Sequence, residues 1–242
     1  MRFSREGRSY MKFKFLIAAL LFVTAAAAAQ QTAAPNAALD SILSRMDATA
    51  ANFRSAQADF TWDQYQKVVD ETDKQSGKVY FRRQGKETEM AADIIAPDQK
   101  YVLFTDSKVD VYQPKIDQVT RYSAGKDREA VESFLVLGFG GRGHDLMKQF
   151  NLTYDGMESA QGVNAAKLTL QPKSPRVANV FNRIILWIDP ARGISVQQQF
   201  FEPSGNYRLT KYSNIQLNQK IPDSVFKLKT TSKTTVVSPN GI

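Results

Sequence analysis

The chain has 242 residues, one histidine, no cysteine and a formal net charge of +8. Without cysteine there is no disulfide framework and no thiol chemistry, so the fold must rest on its hydrophobic core. The basicity does not argue for nucleic acid, because half of it lies in residues 1–29, where Arg2, Arg5, Arg8, Lys12 and Lys14 face only Glu6.

That first segment has the three parts of a cleavable secretory signal. Lys12 and Lys14 precede the apolar run Phe15 to Val23, and small residues lead to an A-x-A site at Ala27 and Ala29. The strongly apolar stretch is much shorter than the about 20 residues that cross a membrane. Residues 1–29 therefore read as a signal peptide cut near Ala29, with Met1 or Met11 as the start, on a chain exported to the periplasm. Its removal leaves 213 residues and a charge of +4, enough for one sizeable core. A lipoprotein needs a cysteine at its cleavage site, so the product is expected to be soluble and unacylated.

Residues 30–36 read as a flexible leader and 37–242 as one domain. Asn36 is a candidate N-cap, and Leu39, Ile42, Leu43, Met46 and Phe53 follow helical spacing, which predicts an amphipathic helix over 37–54. The period then changes to two. Strands are expected near 57–69, 77–84, 87–95, 100–105, 108–113 and 117–123, separated by turn signals such as Gln75-Ser-Gly77 and Ala96-Pro-Asp98. Asp127 can cap a helix with Ala130, Val131, Phe134 and Leu135 on one face, ending at Gly138. A second short helix, His144 to Phe150, carries Leu146, Met147 and Phe150. Strands resume near 150–158, 163–171, 179–189, 193–202, 205–217 and 225–230, and the tail from Val237 reads as frayed. The fold class is α+β and β-dominated: a curved antiparallel half-barrel of about eleven strands, with the N-terminal helix and a central helical lid.

Catalytic motifs are wanting. His144 sits beside Asp145 on the polar side of its helix and reads as a solvated surface residue rather than a triad member or zinc ligand. Gly138-Phe-Gly-Gly-Arg-Gly143 matches G-x-G-x-x-G, but it follows a helical segment rather than opening a βαβ unit, and reads as a joint. Asp70-Glu-Thr-Asp73 lacks the calcium-loop pattern. No cofactor, no metal and no enzymatic activity are expected.

Strand alternation places Val79, Phe81 and Arg83 on one face, with Lys78, Tyr80 and Arg82 on the other. Met90, Ala92 and Ile94 share a face, Leu103 opposes Val102 and Phe104, and Trp187 joins Phe181 and Ile185 opposite Ile184, Leu186 and Ile188. Two readings follow from this patterning: a packed half-barrel core, or a lined cavity under a movable lid. A charged group such as Arg83 facing a core is costly unless paired.

Several motifs, in order, resemble the outer-membrane lipoprotein carrier (LolA-like) family over most of the mature chain. They are Phe60-Thr-Trp-Asp-Gln64, Gly77-Lys-Val-Tyr-Phe-Arg-Arg83, Tyr101 to Pro114, Asp117-Gln-Val-Thr120, Phe134-Leu-Val-Leu-Gly138, Ile188-Asp-Pro-Ala-Arg-Gly193, Ser204-Gly-Asn-Tyr207 and Ile221 to Leu228. The resemblance implies an incomplete barrel whose cavity holds lipoprotein acyl chains. It places the lid-controlling arginine at Arg83 and a cavity residue at Leu103. Two positions depart from the family pattern: Gln84 stands where a proline usually follows the arginine, and Ser107 where the hairpin has glycine. The expected acyl-chain site is Phe81, Arg83, Met90, Leu103 and Trp187, with Phe134, Leu135 and Leu146 on the lid. The partners implied are acylated lipoproteins as cargo, an inner-membrane ABC transporter and an outer-membrane acceptor lipoprotein. The chain is expected to be a monomer that meets membranes only transiently and binds no nucleic acid. The competing reading on the same scaffold is a periplasmic lipid-binding sensor, or a carrier of another lipid.

Overall fold

The computed structural model describes residues 24–85, 87–105, 108–123 and 137–239, and the chain divides into two compact units between Asp40 and Ser41. The described part of the first unit is helical throughout, as the opening stretch of helix α1 (Thr24–Ala51). The segment 30–36, expected as a leader, is thus helix, and α1 ends at Ala51 rather than residue 54. Alanine has the strongest helix propensity of any residue, and this stretch is rich in it.

In the second unit the chain runs through β1 (Ser55–Gln66), β2 (Glu71–Gln84), β3 (Glu87–Ala96), β4 (Lys100–Thr105), β5 (Lys108–Gln113) and β6 (Gln118–Ser123). The helix α2 (Gly143–Gln149), strands β7 (Phe150–Ala160) and β8 (Val163–Pro172), the single turn α3 (Pro175–Ala178), then β9 (Arg183–Asp189), β10 (Ile194–Phe201), β11 (Tyr207–Leu217) and β12 (Thr235–Val237) follow. They form one sheet in the order β12-β6-β5-β4-β3-β2-β1-β11-β10-β9-β8-β7. Every pairing is antiparallel except β12 with β6. Two meanders therefore meet at β1 and β11, so the last long strand closes the middle of the sheet.

Three boundaries differ from expectation. The first hairpin turns at Asp70, which has φ 54°, and Gly77 lies inside β2. A Cβ at Gly77 would sit 1.9 Å from the Asp93 carbonyl oxygen, so glycine marks close strand approach here rather than a turn. Residues 179–182 precede β9 rather than belonging to it. The expected strand at 225–230 is instead a 3-10 turn at Asp223–Phe226, followed by the short parallel strand β12. The expected helix from Asp127 lies outside the described residues up to residue 136.

Register sorts the side chains into two faces. On the inner face lie Ala166, Leu168 and Leu170 opposite Ile188, Leu186 and Ile184, all inaccessible to solvent. The same face continues through Gln198, Thr210, Phe60, Val79, Ala92 and Val102. The second half of α1 docks at the β9–β10 end. Arg45 Nε donates to the Ala191 carbonyl at 2.6 Å, and Thr49 Oγ1 to that of Arg192 at 2.6 Å. The motif Ile188-Asp-Pro-Ala-Arg-Gly193 builds this dock. Asp189 accepts the Ala191 and Arg192 amides and the Arg192 guanidinium, and Gly193 is bare so that the Arg45 carbonyl can pass. On the same stretch of α1, Leu43 and Met46 are buried close to Gly143 at the start of α2, each worth about 1.5–3 kcal/mol of apolar transfer.

Candidate functional site

Between β4 and β10 there are five strand spacings, about 24 Å across a flat sheet. Yet Val102 of β4 and Phe200 of β10 line the same cavity of about 320 Å³. The sheet must curl to bring them together, and the hollow of that curl is the site. Its walls are predominantly apolar, including Phe60, Val79, Phe81, Met90, Ile94 and Phe181.

One end of the hollow is stopped by the turn that carries Leu137, Gly138, Phe139 and Gly140. Phe139 is almost wholly buried and stacks on Phe81 at 4.9 Å, with its other side edge-on to Tyr212 at 4.9 Å. The turn is held by backbone and side-chain bonds: Gln198 Nε2 donates to the Leu137 carbonyl, and the Ser195 amide to that of Gly138 at 2.9 Å. Tyr212 O–H points at Gln198 Oε1, 3.4 Å away, and burial pushes the Tyr212 phenol well above its ordinary pKa. It stays a neutral donor.

Arg83 ties this turn to α1. Nη1 donates to the Ala50 carbonyl and Nη2 to the Gly140 carbonyl, both at 2.9 Å, while the guanidinium carbon stands 5.6 Å from the Phe53 ring centroid. Ala50 lies in the last turn of α1, where carbonyls lack helical partners and the helix dipole is negative. That last turn carries no basic residue of its own. Arg83 supplies the missing cation from the sheet, and one side chain thus holds two separate segments over the hollow.

A second polar group lies within the apolar lining. Arg208 of β11 is inward-facing, opposite Phe200 and Gln64 in register. Its guanidinium carbon is 5.5 Å from the Trp62 ring and 5.1 Å from that of Phe181. Burial lowers its pKa, offset in part by the field of Glu202. Among the described residues it has no hydrogen-bond or ion-pair partner. The Trp62 indole Nε1 is likewise buried and unpartnered.

The expected site residues separate. Phe81, Met90 and Arg83 converge on the hollow, the first two in its wall and the third at its closed end. Leu103 does not: it packs on the outer face with Ala91, Ile221 and Phe226, because alternation along β4 turns Val102 and Phe104 inward instead. Trp187 is also outward, in a cluster with Ala160, Ala165, Ile185 and Val196, its indole N–H donating to Glu158 at 3.1 Å. Both faces of β9 are apolar, and its parity turns Leu186 to the inner face and Trp187 to the outer one. Leu146 of α2 borders a separate cavity of about 330 Å³ beside Met46, Leu137 and Phe150. Phe134 and Leu135 lie outside the described residues. His144 is not a free surface residue: its Nδ1 lies 2.7 Å from Asp47 Oδ2, and its amide donates to the same carboxylate. Burial raises the Asp47 pKa, but the hydrogen bonds from His144 and the charges of His144 and Arg142 outweigh it and hold the carboxyl below its usual value.

Sequence reasoning passed over Phe139, Tyr212, Trp62 and Arg208. Phe139 was visible as the aromatic within Gly138-Phe-Gly-Gly-Arg-Gly143. Arg208 was not, because on β11 the polar Arg208 and Thr210 turn inward while Leu209 turns out, against the usual hydrophobic-in pattern.

Comparison with known proteins agrees with this architecture. Residues 51–229 match the family model of the outer membrane lipoprotein carrier protein LolA. No curated protein matches in sequence. Among solved structures, an uncharacterized conserved protein from Thermus thermophilus superposes with a TM-score of 0.51 at 14% identity, over 82% of this chain and 97% of that one. MucB does so with a TM-score of 0.52 at 12% identity, over 83% and 66% respectively. A LolA superfamily protein from Nitrosomonas europaea aligns at 16% identity over 78% and 97%, with a TM-score of 0.38.

Proposed function

This chain belongs to the outer-membrane lipoprotein carrier family, and we propose that it shuttles acylated lipoproteins through the periplasm, shielding their acyl chains in the inner hollow. The observation that carries the reading is Arg83 bridging the Ala50 and Gly140 carbonyls over an apolar cavity. Each acyl methylene gains about 0.8 kcal/mol on leaving water, so a bare apolar hollow would bind tightly and release poorly. A cavity of about 320 Å³ is at the bottom of the about 300–1,000 Å³ range of ligand pockets. Admitting several chains therefore requires the Phe139 turn to withdraw from Phe81 and Tyr212, which breaks the Arg83 bonds. That cost is set against acyl burial, and it lowers the net affinity to one that an acceptor can overcome. Delivery is to an outer-membrane acceptor, loading from an inner-membrane ABC transporter, and no catalytic group takes part.

The test is native mass spectrometry, with lipid extraction, of the protein purified from its own periplasm. Bound triacylated peptide is the expected result. A bound lipid without peptide moves the cargo to another lipid class, and a stable protein partner with an empty hollow overturns the carrier in favour of a sensor.

A further inference from the structure

Among the described residues, two donors in the lining of the hollow, the Arg208 guanidinium and the Trp62 indole N–H, make no hydrogen bond. The Arg208 guanidinium lies half-buried in the lining, with the Trp62 and Phe181 rings against it. The Trp62 indole N–H is buried with nothing to bond. Of the polar side chains in the same lining, Gln198 is already committed: it donates to the Leu137 carbonyl and accepts from Tyr212. Cation–π contact offsets part of the burial of the guanidinium but satisfies none of its five N–H groups, and the buried indole N–H leaves a hydrogen bond unmade, which is costly. Arg83 shows the contrast, since its inward guanidinium has two carbonyls at 2.9 Å.

From this we infer that the hollow also accepts an acidic lipid, an acyl chain ending in an anionic oxygen group that Arg208 and the Trp62 N–H bind together. The inference rests on the reading of the hollow as an acyl-chain site. The shared chemistry is a carboxylate or phosphate on a chain, and it differs from the N-acylated end of a lipoprotein, which presents no anion there. The anion provides the acceptor that both donors lack, and the chain lies along Phe60, Val79 and Met90, which line the same cavity.

The experiment is displacement of a fluorescent acyl probe from the full mature chain by four competitors: palmitate, lysophosphatidylglycerol, hexadecanol and monopalmitoylglycerol. Each acidic lipid is expected to displace the probe at about ten- to a hundredfold lower concentration than its neutral counterpart, the range of one or two charged hydrogen bonds. Preference confined to palmitate assigns a carboxylate, and preference confined to lysophosphatidylglycerol assigns a phosphate; either supports the inference. Arg208→Met should abolish the preference while hexadecanol still binds. Trp62→Phe, which keeps an aromatic ring but removes the N–H, should reduce it in part, and it serves where the arginine variant does not fold. Equal displacement by acidic and neutral lipids, or a preference that survives Arg208→Met, overturns the inference and leaves the acyl site standing. Failure of all four lipids to displace or bind overturns the acyl site itself.

Discussion

Arg82 and Arg83 are neighbours on β2 that point to opposite faces of the sheet, and each fastens a segment that would otherwise hang free. On the outer face Arg82 pairs with Glu89 at 2.7 Å and with Asp223, and it stacks over Phe226 at 4.1 Å. This holds the stretch carrying Ile221 and Phe226 against Ala91 and Leu103. On the inner face Arg83 meets, among the described residues, no carboxylate but the Ala50 and Gly140 carbonyls and the Phe53 ring. A half-buried Arg82–Glu89 ion pair backed by apolar packing resists exchange with water and acts as a seam. Two hydrogen bonds to carbonyls at a helix end and a turn can be exchanged for water or ligand when those segments move. The same residue type is thus a seam on one face and a latch on the other, because of what faces it.

Substitutions that break one fastening and spare the other sharpen that contrast. Arg83→Leu removes two charged hydrogen bonds, about 3 kcal/mol of preference for the closed hollow. Transfer of a radiolabelled lipoprotein to acceptor membranes should fall about a hundredfold while loading persists, and normal transfer would refute the latch. Leu103→Ala empties a buried site on the outer face and should cost about 2–4 kcal/mol in urea denaturation. Acyl-probe binding should stay unchanged, whereas a lost affinity would put Leu103 back in the cavity wall. Arg82→Met should cost about 1–2 kcal/mol and expose residues 221–228 to protease, again with transfer intact.

The smallest effect is on pH dependence. At Asp189 burial raises the pKa, but the Arg192 guanidinium and the Ala191 and Arg192 amides outweigh it and hold the carboxyl below its ordinary value, as happens at Asp47. A depressed folded-state pKa contributes stability that is present above the unfolded value near 3.9 and lost as pH falls through the folded one. The melting temperature should therefore hold from neutral pH to about 5 and drop below about 4, with a shallower acid limb in Asp189→Asn. The Arg83 latch faces carbonyls that do not titrate, so carrier release should not share that acid limb.

The sheet and its two meanders were legible because alternation along β2, β3 and β4 is regular enough to assign a face to each residue. Arg83 stood out for the same reason, as a charge on an apolar stripe. Trp187 and Leu103 went astray by different routes. Around Trp187 the strand is apolar on both faces, so alternation alone does not say which one is inward, whereas Leu103 rests on family resemblance at a position one residue from the inward Val102 and Phe104. The helix docking was hidden in Gly193 and Asp189, whose role is to shape a turn for a helix more than 140 residues away in sequence. Arg208 was illegible because a strand whose polar side faces a hollow looks, in sequence, like one whose polar side faces water.

The central claim, that cargo opens the inner latch and leaves the outer seam closed, is tested most directly by amide hydrogen exchange with and without a triacylated peptide. Binding should speed exchange around Phe53 and in residues 137–141 while residues 221–228 keep their protection. Slower or unchanged exchange around Phe53 and Gly140 in the loaded protein, or deprotection of 221–228 instead, would contradict the claim.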